Sequence, residues 1–68
     1  MIDELEIYRS ARLLIDGLGA DRAMAHASQT ADQMLARSDM DGKLVWLAIL
    51  RAIEELQRTQ RGSSEPVN

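Results

Sequence analysis

The chain contains no cysteine among its 68 residues. This absence excludes disulfide bridges, thiolate metal sites and catalysis by a thiol nucleophile. Secreted domains of this size usually rely on disulfide bridges, because a short chain buries too little surface to be stable without them. The sequence therefore favours a cytoplasmic location.

A long apolar run and a basic leader are also missing. The longest uninterrupted apolar run, LVWLAIL at 44–50, is far shorter than the roughly 20 residues that a membrane-spanning helix needs. The first residues, MIDELEIY, are acidic where a secretory signal would be basic. A formal net charge of −3 disfavours nucleic acid as a partner, because that binding needs a basic patch. We expect no membrane association.

Residues that could carry catalysis or hold a metal are scarce. The single histidine, His26, has no carboxylate three or four residues away, and a metal site needs three or four converging ligands. The DMDG segment at 39–42 looks like part of a calcium loop, but Arg37 and Ala48 occupy its first and last ligand positions. We therefore predict no catalytic, metal or cofactor-binding residue, and we expect that the protein is not an enzyme.

The clearest structural signal is the segment 39–58, DMDGKLVWLAILRAIEELQR. Its main apolar residues are spaced 3, 4 and 3 apart, which places them on one helical face: Trp46, Ile49, Ile53 and Leu56. Asp39 is a candidate N-cap, because its carboxylate can accept from backbone N–H groups two or three residues on. The segment predicts a helix over about 40–59 whose apolar face must be covered by other parts of the chain.

Two further helices are predicted before it. Acidic residues crowd the start of the first, at about 3–16, where the helix dipole favours them. Gly17 is placed to close this helix in a left-handed conformation, and Leu18 is expected to tuck under the bundle. The second helix, at about 20–37, has a near-ideal 3.6-residue apolar period and is rich in alanine. His26 lies on its opposite, polar face.

The fold predicted from these elements is all-α, a small three-helix bundle with helices at about 3–16, 20–37 and 40–59. The short connection at 38–39 implies that helices two and three are antiparallel neighbours. Residues 1–60 form the three-helix domain, and 61–68, RGSSEPVN, are predicted to be a disordered tail. The predicted core consists of Ile7, Ala11, Leu14, Ala27, Ala31, Leu35, Trp46, Ile49, Ile53 and Leu56.

The last helix carries more apolar side chains than its main face can hold. Leu44, Leu47 and Leu50 lie off the Trp46 stripe. Two interpretations remain open: the wide core of a monomer, or a second apolar surface that meets another chain. The candidate interface consists of Leu44, Leu47, Leu50, Met40 and Arg51.

Three features together resemble a known family: YRSARLLID-x-x-G in the first helix, the alanine-rich second helix, and the segment SDMDGKLVWLAILRAIEEL. The chain is similar over residues 7–56 to short helical proteins of unknown function, found mostly in alphaproteobacteria, with a D-x-D-G-x-x-V-W-x-x-I-x-x-A-I-x-x-L segment. The resemblance implies a three-helix unit and no assigned site residue. Leu47 stands where members of that family more often carry a polar residue.

Two main functional hypotheses follow from the sequence, beside a third, a small-ligand or metal binder, which the metal content of the purified protein would test. The first is a non-enzymatic helical module that acts by protein–protein contact, with itself as a possible partner in a homodimer. The alternative is a phage-type or nucleic-acid-associated regulator or inhibitor that acts on a larger nucleoprotein complex. A helix-turn-helix role is disfavoured, because the would-be recognition helix begins with Asp39 and Asp41, whose charges repel phosphate. Gel-shift binding at physiological salt separates the two hypotheses.

Overall fold

The computed structural model describes the backbone of residues 3–64 and the side chains of residues 3–59. Over this range the chain forms three helices and no strand, which confirms the predicted all-α three-helix bundle. Helix α1 spans Glu4–Leu18, α2 spans Ala20–Ala36 and α3 spans Met40–Ser64. None of these helices, within the described residues, is both long and apolar enough to cross a membrane.

The corner between α1 and α2 is a single residue, Gly19. Its backbone has φ 86°, and its N–H donates to the carbonyl of Ile15 at 2.8 Å. The prediction that Gly17 closes α1 is wrong. Gly17 is helical, because one glycine inside a helix costs only about 1 kcal/mol. The helix ends at Gly19, whose positive φ is a conformation that glycine adopts readily. Leu18 was predicted to be buried, but it is 42% exposed at this corner.

The connection between α2 and α3 closes one helix and begins the next. The N–H of Ser38 donates to the carbonyl of Leu35 at 2.9 Å, and the N–H of Asp39 donates to that of Met34 at 2.8 Å. This pair of bonds is a Schellman motif, which needs a left-handed residue at its centre. Ser38 fills that position with φ 60°, a conformation that is unfavourable for a residue with a Cβ.

We expect Ser38→Gly to stabilise the protein by about 0.5–1 kcal/mol, because glycine adopts this conformation without steric cost. Urea denaturation followed by circular dichroism measures the change. Ser28→Gly is the matched control: Ser28 is exposed within α2, and its replacement by glycine should destabilise the helix. Equal effects of the two substitutions would contradict the assignment of strain to Ser38.

Helix α3 is longer than predicted. It continues to Ser64, five residues past the expected end and into the segment predicted to be a disordered tail. Proline stops a helix, and the single proline of the sequence, Pro66, comes after Ser64. The rest of the predicted tail, 65–68, lies outside the described residues.

The core is built mainly from alanines of α1 and α2 against larger side chains of α3. The fully packed cluster consists of Ala11, Ala23, Ala27, Ile49, Ala52 and Ile53. Nine of the ten predicted core residues are buried or packed partly buried against this cluster. Leu35 is the exception, because it is 47% exposed.

The way the helices cross explains why Leu35 is exposed. Met34 approaches Gly42, and His26, earlier in α2, lies against Trp46, later in α3, so α2 and α3 are antiparallel as predicted. The Tyr8 hydroxyl reaches Glu55, in the second half of α3. The contacts of α1 therefore lie toward the end of the α2–α3 pair that is away from the α2–α3 turn, whereas Leu35 lies beside that turn.

Candidate interaction surface

The DMDG segment forms a helix cap. Oδ1 of Asp39 accepts from the N–H of Gly42 at 2.9 Å, which confirms the predicted N-cap. A Cβ at Gly42 would lie 2.6 Å from Asp39 Oδ2 and 2.9 Å from Met34 Sδ. Gly42 therefore lets the capping carboxylate and Met34 approach the helix together.

Within the described part of the chain, no three histidine or carboxylate side chains are grouped so that they could hold a metal ion. His26 is exposed, as predicted, but it is not simply solvated. Its ring meets the ring of Trp46 edge to face, with the centroids 5.5 Å apart. Such a contact stabilises the α2–α3 pair beyond the area that it buries. The residue has a packing role, which the spacing of polar residues on α2 did not indicate.

A second polar contact joins α1 to α3. Tyr8 Oη donates to Oε2 of Glu55 at 2.8 Å. This hydrogen bond holds the pKa of Tyr8 above its ordinary value, and partial burial and the negative charges of Glu55 and Glu4 act in the same direction. The contact joins α1 to the second half of α3, beside the apolar packing of α1 against the core cluster.

The side of α3 that faces away from α1 and α2 carries a row of apolar side chains. Met40 is 50% exposed, Leu44 60% and Leu47 38%, and the exposed Arg51 follows on the same side. We call Met40, Leu44, Leu47 and Arg51 the outer face of α3. Three of its four members are large hydrophobic residues that the fold does not cover.

The fifth predicted interface residue, Leu50, has a different position. It is half-buried and packs against the core cluster, so it lies at the edge of the outer face. It still lines a shallow depression along α3 together with Leu44, Leu47 and Arg51. All of the residues that line this depression belong to α3, so it is an open strip on one helix and not an enclosed cavity.

Leucines of α1 and α2 are exposed as well, namely Leu5, Leu13, Leu18 and Leu35. Leu13, on α1, is 71% exposed, and its neighbours in a shallow surface depression are Glu6, Arg9 and Ser10. Single exposed hydrophobic residues of this kind are common on protein surfaces. A row of three on one helix face is more informative, because contiguous apolar surface is typical of contact sites.

The charged residues of α3 up to residue 59 do not form the ion pairs that their spacing allows. Among residues 3–59, the one ion pair within 4.0 Å joins Arg12 to Asp16 at 3.7 Å. Arg51 and Glu55 lie four residues apart, but Glu55 accepts from Tyr8 and Arg51 has no carboxylate partner in this range. The guanidinium of Arg51 is therefore available on the outer face.

Comparison with known proteins gives no relative. No family model, no curated protein and no solved structure matches this chain.

Proposed function

We propose that the protein is a non-enzymatic helical module that acts by protein–protein contact through the outer face of α3, and that a second copy of the chain binds there. The single observation that carries this proposal is the uncovered row of Met40, Leu44 and Leu47 on a helix whose other side already packs against α1 and α2. We further propose a cytoplasmic location and membership of the alphaproteobacterial family that the sequence resembles.

The physical argument for contact is the cost of leaving this row in water. Removing apolar surface from water contributes roughly 25 cal/mol per Å² before the costs of association are subtracted. A two-fold pairing uses one patch on both chains, so a row on a single helix face supports a symmetric dimer. The outer face lies on the side of α3 away from α1 and α2, so a partner helix can reach it without displacing either helix.

Leu47→Glu tests the proposal. Leu47 is 38% exposed and outside the core cluster, so the charge should not disturb folding. In a dimer the substitution would bury an unpaired carboxylate on each chain, which is strongly unfavourable. We expect the parent chain to dimerise at micromolar or higher concentration and Leu47→Glu to be monomeric with unchanged helicity. Sedimentation velocity and circular dichroism measure the two quantities.

Leu13→Glu is the matched control, because it places the same charge on a more exposed leucine of another helix. This variant should dimerise like the parent. A parent chain that stays monomeric up to several hundred micromolar would refute the proposal. Unfolding of Leu47→Glu would also refute it, because Leu47 would then belong to the intramolecular core.

A further inference from the structure

The outer face of α3 continues as a regular seam into the charged half of the helix. Residues separated by 4, 3, 4, 3 and 4 positions follow one another along it: Met40, Leu44, Leu47, Arg51, Glu54 and Arg58. This alternation is the a/d spacing of a coiled coil, and it keeps one stripe of a helix against a partner helix. The first three seam positions are apolar and the last three are charged.

This division of the seam decides how two copies can meet. In a parallel pair, each seam residue lies beside its own copy, so Arg51 faces Arg51 and Glu54 faces Glu54. Like charges at close range oppose association. In an antiparallel pair the apolar halves can overlap, and each charged half begins level with the N-terminal end of the partner's α3 and extends beyond it.

One antiparallel register places the leucines of the two seams against each other. With Leu44 of one chain level with Leu47 of the other, two leucine layers form about the two-fold axis. Arg51 is then level with Met40 of the second copy. The aliphatic stem of Arg51 can cover the Met40 side chain while its guanidinium remains in water. Asp41 of the second copy is one residue, about 1.5 Å, further along.

The charges at this level are complementary. Asp41 is exposed, and like Arg51 it has no ion-pair partner among residues 3–59. Both groups can therefore pair between chains without breaking a contact within a chain. The next seam residue, Glu54, reaches the level of the turn that carries Arg37 and Asp39, where the Asp39 carboxylate already accepts from Gly42.

We infer that the outer face of α3 takes an antiparallel α3 of a second copy, with Leu44 level with Leu47 and Arg51 paired with Asp41 across the axis. The inference rests on the proposed function and adds the orientation and the charged residues that select it. Stable dimers bury roughly 800 Å² per partner. Three partly exposed apolar residues supply only a fraction of that area, so the dimer is weak and its ion pairs matter to its specificity.

Single cysteines at two seam positions test the register, since the chain has no cysteine of its own. A disulfide needs Cα atoms within about 7 Å. In the antiparallel register Met40→Cys is level with Arg51→Cys, whereas two copies of Met40→Cys are 11 residues, about 16 Å, apart along the axis. We expect an equimolar mixture of the two full-length variants to form the 40–51 disulfide and each variant alone to cross-link at least tenfold less.

Charge exchange gives a second readout that needs no cross-link. Arg51→Glu and Asp41→Lys should each weaken dimerisation about three- to tenfold, because each places like charges together twice per dimer. An equimolar mixture should recover near-parental affinity, because the heterodimer holds one native pair and one exchanged pair. Sedimentation equilibrium on the two variants and their mixture measures the recovery.

The possible outcomes separate this inference from the proposed function. Efficient cross-linking of Met40→Cys with itself, in a chain that still dimerises, overturns the antiparallel register and leaves the contact surface intact. A mixture of Arg51→Glu and Asp41→Lys that binds no better than either variant alone overturns the ion pair. A monomeric parent chain overturns both the inference and the proposed function.

Discussion

Ile53→Ala should leave the protein largely unfolded at 37 °C. Among the side chains that the structure describes, Ile53 is the largest with no exposed surface, and it lies in the core cluster with Ala11, Ala23 and Ala27. Removing buried methylene groups costs their transfer free energy and leaves a cavity, about 2–5 kcal/mol for isoleucine to alanine. A domain of this size has a free energy of unfolding of only a few kcal/mol. The substitution can therefore remove most of the stability.

Thermal and urea denaturation followed by circular dichroism measure this effect. Ile53→Val should cost about 0.5–1.5 kcal/mol, because it removes a single methylene from the same position. Leu13→Ala, at a residue that is 71% exposed, should change the stability by less than about 0.5 kcal/mol. If Ile53→Ala melts within a few degrees of the parent, Ile53 is not central to the core.

Much of the fold could be predicted from the sequence, because the apolar periods of the three segments are regular and the caps are local. The Asp39 cap involves residues three positions apart, so the sequence contains all the information that it needs. The errors arise where a residue's environment depends on another helix. Leu35 lies in the apolar period of α2, but only the crossing of α1 shows that no helix covers it.

The candidate surface was predicted less completely. Leu44 and Leu47 were recognised because they fall off the main stripe, and the structure leaves both of them exposed. Leu50 was grouped with them, but its packing against the core depends on the rotation of α3 against α2, which the helical period does not fix. The contact between His26 and Trp46 was missed for a similar reason, because no local signal pairs two residues 20 positions apart.

Ala27→Leu should destabilise the fold by enlarging a side chain in a place that has no room for it. Ala23 and Ala27 are fully buried and Ala31 nearly so, and they form the inner side of α2. Small side chains at a helix–helix contact allow the axes to approach closely. A leucine adds three carbon atoms to this contact, and overpacking of this kind typically costs about 1–3 kcal/mol, occasionally more. We expect a lower melting temperature and weaker near-ultraviolet circular dichroism from Trp46, because the α2–α3 contact must widen.

Ala25→Leu is the control that separates packing from helix propensity. Ala25 lies in the same helix two residues earlier but is exposed, so the same side chain meets solvent there. Leucine and alanine differ little in helix propensity, and the stability of Ala25→Leu should stay within about 0.5 kcal/mol of the parent. If Ala27→Leu and Ala25→Leu were equally stable, the alanines of α2 would not set the distance between the helices. A loss confined to Ala27→Leu would show that the cluster that Ala27 forms with Ile49 and Ile53 has no room for a larger side chain at this position of α2.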